Sequence, residues 1–286
     1  MSSNNSIIRA GFTLVELLVV VAVISVLMGV LLPSLSSSRD AARTVHCAAN
    51  QRQMFAAWQM YAGDANGRVM PLAYWSAQDI GAGPAIYWWG AQGTASTSVD
   101  HSRGFLSAYL DASLRPESVY ECPSQPWGTY RPQGTAKSIT STYGYNGYYL
   151  SPAKTPGWGP TISRRPWQRL DTIRRPSELF VFADTLLPSF GSSQPSNNAL
   201  LDPPLLWSSS GGGRWTVNPS PTTAFRHGRG SSTSRVGSVV AACADGHVAP
   251  VQAHAAWLTQ PMQGVGSVGG NAVNGPQYVP DSAEWR

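Results

Sequence analysis

The longest apolar run in the chain opens at Phe12 and closes at Leu32, and Glu16 is its only ionisable side chain. At about 1.5 Å per residue, a helix over this stretch spans roughly 31 Å, one hydrocarbon thickness. After Pro33 the pattern changes. Ser36, Ser37, Ser38, Arg39 and Asp40 are polar, and apolar residues then return at helical spacing. Leu35, Ala42, Val45 and Ala49 make one stripe, and Cys47, Met54, Trp58 and Tyr61 make a second. Arg39, Asp40, Arg43 and Arg52 keep the rest of the surface wet. The spacing predicts one helix from Phe12 to Tyr61, bent at Pro33 and ended by the turn residues Gly63, Asp64, Ala65, Asn66 and Gly67.

Beyond Arg68 the periodicity shortens to β signals separated by turns. Residues 85–89 read as a strand or an aromatic loop. Residues 101–114 carry Phe105, Leu106, Tyr109 and Leu110 at helical spacing and predict a short helix. Residues 151–169 read as a long loop, residues 178–185 as a strand, and residues 186–222 as loop again, centred on Gly211, Gly212 and Gly213. Residues 235–242 and 247–251 form a hairpin signal around a two-residue Asp245-Gly246 turn. After Trp257 the chain is rich in Gly, Asn and Pro and predicts a surface-lying tail. The pattern as a whole is α+β: a long N-terminal helix, membrane-spanning in its first half, on a head with an antiparallel β-sheet and long loops.

Composition changes this picture in two respects. Charged residues are only 12 % of the chain, about half the usual share, while Trp and Tyr number 11 each beside 28 Gly and 22 Pro. That favours a loop-rich domain with an aromatic core over a helical bundle. The net charge of +5 includes one basic cluster, Arg164, Arg165, Arg169, Arg174 and Arg175. Punctuated by Pro166 and Pro176, it reads as a solvated loop, and no nucleic-acid partner is expected.

Arg9 is the only charge before Gly11, which places the N-terminus inside and the bulk of the chain outside the cytoplasm. A secretory signal would have a shorter apolar core, and Ser34-Leu35-Ser36 is only a passable cleavage site. Cys47, Cys122 and Cys243 have no zinc-type spacing. Outside the cytoplasm they allow one disulfide and a leftover thiol. Cys47 with Cys122 is the preferred pair, because Cys243 sits in an apolar, strand-like run.

Glu16 carries the functional signal. A carboxylate at bilayer depth is costly, on the order of 3 kcal/mol at the centre and less near the interface. It either reaches the headgroups from the helix start or has a partner. Gly11-Phe12-Thr13-Leu14-Val15-Glu16 resembles the class III signal of type IV pilins and type II secretion pseudopilins. The resemblance implies cleavage after Gly11 by a prepilin peptidase, methylation of the new Phe12 amine, and a role for Glu16 in filament assembly. Pro33 stands where many of these proteins kink the helix. The implied organisation is a leader at residues 1–11, a transmembrane and assembly helix at 12–62, and an extracytoplasmic head at 63–286.

Scattered head motifs extend the resemblance: Cys47-Ala48-Ala49-Asn50, Tyr61 to Gly67, Cys122-Pro123, Thr142-Tyr143-Gly144, Arg226-His227-Gly228 and Ala244-Asp245-Gly246-His247-Val248. Seventeen residues separate His227 from Asp245. That is longer than the family's usual connection, and the insertion is placed at residues 230–235.

His227, Cys243, Asp245, His247 and His254 invite a metal or hydrolase reading. Asp245 is already explained as a turn residue and His247 as the start of a strand, so no catalytic or metal-ligating residue is assigned. A structural calcium, which the resemblance to major pseudopilins implies, would draw on Asp64, Asn66, Asp184 or Asp245. The expected function is therefore a non-enzymatic filament subunit of a type IV pilus or type II secretion pseudopilus. Its partners would be the prepilin peptidase, other pilin-like subunits in a homo- or hetero-filament, and the bacterial inner membrane. Two alternatives are a tip-located, glycan-binding adhesin, for which Tyr87, Trp88, Trp89, Trp158, Trp167, Trp207 and Trp215 are stacking candidates, and, more remotely, an anchored metal-dependent hydrolase.

Overall fold

The computed structural model describes residues 13–91, 100–110, 118–125, 141–155, 159–188, 195–209, 213–228 and 236–285. The chain divides into two compact units, Met1–Arg39 and Asp40–Arg286. A single helix, α1 (Leu14–Asp64), contributes residues to both. In the first unit its apolar side chains are exposed all round, from Leu14 through Val20 and Ile24 to Leu32. This is the one helix among the described residues that is long and apolar enough to cross a membrane. Pro33 lies within α1, whose assignment runs through it.

In the second unit α1 becomes one-sided. Cys47, Asn50, Gln51, Met54, Phe55, Trp58 and Ala62 are buried, whereas Val45 and Met60 stay exposed. Of the two stripes in the sequence, the one through Cys47, Met54 and Trp58 faces inward. It is the stripe that carries the large aromatic, with the most apolar area to bury. The helix ends in a Schellman closure. Asn66 takes φ +54° and the Gly67 N–H donates to Ala62 O at 2.7 Å, so a carbonyl of the last turn is satisfied.

Three short strands follow: β1 (Ala73–Tyr74), β2 (Ile86–Tyr87) and β3 (Gly90–Ala91), which form an antiparallel sheet in that order. Next come β4 (Tyr143–Tyr145), β5 (Phe180–Asp184), β6 (Leu205–Ser208), β7 (Arg214–Val217) and β8 (Thr223–Ala224). The last four are β9 (Ser238–Cys243), β10 (Val248–Gln252), β11 (Leu258–Gln260) and β12 (Val265–Gly266). The main sheet has the order β10-β9-β5-β4, antiparallel throughout. Its middle strand β5, Phe-Val-Phe-Ala-Asp, is buried at every position and so reads as a continuous apolar run rather than an alternation. Pro250 sits in β10, an edge strand, where its missing N–H costs no central ladder bond.

Polar side chains lock the helix onto the sheet. Gln51 Nε2 donates to Val240 O at 2.7 Å, Asn50 Nδ2 to Glu121 O at 3.1 Å, and Trp58 Nε1 to Tyr145 OH at 3.2 Å. At Gly144 on β4, a Cβ would come within 2.4 Å of Thr185 Cγ2 and 2.8 Å of Leu201 N, so only glycine fits.

Four expectations change. Residues 101–110 hold a 3-10 turn, His101–Arg103, followed by turns, because Phe105 and Tyr109 pack on Tyr61 rather than extending a helix. The rest of that predicted helix lies outside the described residues. The stretch 186–222 is not all loop: β6 and β7 pair as a hairpin, with Trp207 opposite Trp215 at 5.3 Å between ring centroids. Gly211 and Gly212 lie outside the described residues. The Asp245-Gly246 turn is a three-residue loop, Ala244, Asp245 and Gly246. Gly246 N donates to Cys243 O at 2.9 Å, and Gly246 adopts φ +98°, which suits a glycine. The tail packs inward: β12 pairs with β8 and β11, and Val265, Val268, Tyr278, Val279 and Trp285 are buried. A few anchors in a Gly-rich segment suffice, each removing a large apolar area from water.

The helix–sheet contact is directly testable. Trp58→Ala should destabilise the protein by about 3–5 kcal/mol, whereas Met60→Ala, half exposed on the same helix, should change stability by less than about 0.5 kcal/mol. Denaturant unfolding of the detergent-solubilised chain, followed by tryptophan fluorescence, checks both.

Candidate functional site

Two places concentrate chemistry: the start of α1, and a buried cluster in the head. Gly11 and Phe12 lie outside the described residues, as do residues 1–10. At the helix start, Thr13 N–H and Thr13 Oγ1 each donate to Glu16 Oε2 at 2.8 Å, and Glu16 N–H donates to Thr13 Oγ1 at 3.2 Å. This is a capping box, in which the first residue and the third helical residue satisfy each other's orphan donors. The signal Thr-x-x-Glu stands in the sequence at residues 13–16, but weighing Glu16 only between the headgroups and a partner passes over it. The carboxylate therefore already has a local task, which orients it at the helix mouth where the macrodipole favours negative charge.

The second place draws on four distant segments. Cys47 comes from α1, Cys122 from the turn before Pro123, Asp184 from the end of β5, and His227 from the segment after β8; all four are buried. Their donor atoms lie within 4.8 Å of one another. His227 Nε2 is 3.0 Å from Asp184 Oδ2 and 3.4 Å from Cys122 Sγ, and Cys47 Sγ is 3.6 Å from Asp184 Oδ1. The other ring nitrogen, Nδ1, faces Ser124 Oγ at 3.1 Å and Thr44 Oγ1 at 3.3 Å. Asp184 Oδ2 also accepts from Val240 N–H at 2.9 Å, and the largely buried Arg226 stands 3.8 Å from Oδ1.

Electrostatics follow from this crowding. Burial pushes the Asp184 carboxyl up, but the His227 charge and hydrogen bond, Arg226 and the Val240 N–H together hold it below the usual carboxylate range. Burial would lower His227, yet Asp184 and Cys122 outweigh that and raise it to about 10. For Cys122 burial is again opposed, by hydrogen bonds from Cys47 and His227 and by Arg226, and its pKa falls to about 6. Cys47 is raised, chiefly by burial. These shifts favour a thiolate on Cys122 and an imidazolium on His227, beside the Asp184 carboxylate and the Arg226 guanidinium.

The structure sorts the sequence candidates differently from their order in the chain. Cys47 and Cys122 are brought together, and all three cysteines are free and buried. His227 pairs with Asp184, not Asp245. Asp245 instead accepts from His247, through N at 3.1 Å and with Nδ1 at 2.7 Å, in an exposed turn. Residues 230–235, where the insertion was placed, lie outside the described residues. Cys243 sits in β9, and His254 packs on Trp257. Of the calcium candidates, Asp64 accepts from Tyr109 OH at 2.6 Å at the end of α1, Asn66 is in the closing turn, and Asp184 is in the cluster. In the arginine cluster, Arg165 lies over Trp207 and Trp285, Arg174 pairs with Glu284, and Arg175 with Glu178. Asp184 is the member that sequence reading does not connect to the cysteines, because no local spacing links strand β5 to α1.

The pH dependence of the metal-free protein has a defined sign. From about pH 6.5 to 9 the folded cluster holds its proton on His227, and the unfolded chain holds one on Cys122, so proton counts match and stability is flat. Above about pH 9, unfolded Cys47 ionises while folded Cys47 does not, and His227 loses its raised proton near 10; stability then falls. Melting temperatures of chelator-treated protein from pH 6 to 11 should show this plateau and drop. A steady decline beginning at pH 6.5 would mean that Cys122 is not a thiolate.

A family model described as the prokaryotic N-terminal methylation motif matches residues 8–32. No curated protein and no solved structure matches the chain. The chain thus carries a type IV pilin-like prepilin signal at its N-terminus, leading directly into an apolar helix of membrane-spanning length.

Proposed function

We propose that this chain is a structural subunit of a type IV pilus-like or type II secretion pseudopilus filament. It is held in a bacterial cytoplasmic membrane with its head outside, processed by prepilin peptidase between Gly11 and Phe12, and assembled through α1. The observation that carries the reading is the methylation motif at residues 8–32, set on a helix whose apolar side chains are exposed all round between Leu14 and Leu32. Such a surface needs either lipid or copies of itself, and a filament core exchanges the first for the second. Glu16 is the single charged feature that can set the register between neighbouring helices, because its partner in the exchange would be a newly freed Phe12 amine. The head reads as non-enzymatic, because the cluster is buried at each member; of the stacking candidates Trp88, Trp89 and Trp207 are buried, Tyr87, Trp167 and Trp215 are half-buried, and Trp158 lies outside the described residues, which suits a scaffold better than an aromatic sugar-binding face.

Mass spectrometry of the mature protein should find an N-terminus at Phe12 bearing one methyl group. An intact start at Met1, or a cut near Ser36, would overturn the reading. A pair of substitutions separates the two roles of Glu16. Glu16→Gln keeps an oxygen to accept from Thr13 but removes the charge, whereas Glu16→Ala removes both. Both variants should insert into the membrane, and both should fail to enter filaments in a shear-fraction assay. Incorporation of Glu16→Gln at the wild-type level would show that capping alone is required.

A further inference from the structure

We propose that Cys47, Cys122, Asp184 and His227 form a structural zinc(II) site that ties α1 to the head. The donor set, two sulfurs, one imidazole nitrogen and one carboxylate oxygen, is one that zinc accepts, and four protein ligands make a closed, structural site. Thiolates select against calcium and magnesium.

The geometry fits the ion. With Zn–S near 2.3 Å and Zn–N or Zn–O near 2.05 Å, a tetrahedron has edges of about 3.3 Å between N and O and about 3.6 Å between S and N or O. With Oδ2 as the carboxylate ligand, the corresponding separations here are 3.0 Å for His227 Nε2 to Asp184 Oδ2, 3.4 Å for Cys122 Sγ to His227 Nε2, and 3.9 Å for Cys47 Sγ to Asp184 Oδ2. All four ligand atoms lie within 4.8 Å of one another, so shifts of under about 1 Å per side chain bring them to the edges of a zinc tetrahedron.

The surroundings support the ligands as an outer shell does. Tyr143 OH lies 3.4 Å from Cys47 Sγ and Gln51 Nε2 3.8 Å, both as donors to the sulfur. Ser124 and Thr44 orient the imidazole through Nδ1, leaving Nε2 to face the centre. The charges also close. Two thiolates and a carboxylate carry three negative charges; zinc supplies two positive charges and Arg226 the third. The interior stays neutral, as a fully buried site requires. Zinc takes sulfur as thiolate and imidazole as the neutral ring, so binding releases protons.

The rival occupant of the same space is a Cys47–Cys122 disulfide, and one experiment separates them. The full chain is expressed in zinc-supplemented medium, purified from membranes in detergent without chelator, and dialysed. Elemental analysis should give about one zinc per chain. X-ray absorption at the zinc edge should show two sulfurs near 2.3 Å and two lighter ligands near 2.0–2.1 Å. Cys122→Ser should lose the metal and Cys243→Ser should keep it. If Cys122→Ser fails to fold, the absorption spectrum of the wild type still decides. Absence of stoichiometric zinc, a zinc shell without two sulfurs, or a Cys47–Cys122 cross-link found by peptide mapping would each overturn the proposal.

Discussion

A carboxylate with no access to water is the constraint around which the head is built. Asp184 is fully buried at the end of the most buried strand, and an ionised group there is tolerated only if its neighbours replace the lost hydration. They do so from four directions: His227, Arg226, the Val240 N–H and the Cys47 thiol. The partners come from three segments, Arg226 and His227 after β8, Val240 in β9 and Cys47 in α1, so satisfying one side chain fixes the mutual positions of α1, the central strands and the segment after β8. Breaking the set on one side leaves an uncompensated charge, which costs far more than any single hydrogen bond contributes.

The largest side chains of the rest of the core are aromatic. Trp58, Trp88, Tyr145 and Phe182 pack around the sheet, and Trp88 and Phe182 meet edge-on at 5.4 Å between ring centroids. Rings of this size remove large apolar areas with few residues, which lets a chain rich in glycine and proline hold long, irregular connections. Their polar ends are used as well: Trp88 Nε1 donates to Ala199 O at 3.0 Å, and Tyr145 OH to Met70 O at 2.7 Å. Loops thus become part of the core by hydrogen-bonding to aromatic tips.

One helix serves two solvents. Between Leu14 and Leu32 its apolar side chains are exposed on every side, and from Cys47 onward one face is buried and the other wet. The change in pattern marks the change in environment. At its start, the Thr13–Glu16 capping box holds the lone carboxylate of the apolar stretch in a defined orientation.

What was legible in the sequence is what depends on local order. The membrane-length helix, the methylation motif at residues 8–32, the closing turn at Asn66 and Gly67, strand β5 and the hairpin of β9 and β10 follow from periodicity, composition or motif, because neighbours in sequence carry those signals. The buried tail, the β6–β7 hairpin, the inward turn of one helix stripe over the other, and above all the meeting of Cys47, Cys122, Asp184 and His227 were decided by tertiary structure. His227 shows why. Along the chain it invites pairing with the Asp245 motif, yet in space that motif closes on itself and Asp184 takes the histidine. A sequence records which groups must find partners; which partner each one meets is set by the packing of sheet and helix, where segments more than a hundred residues apart become neighbours.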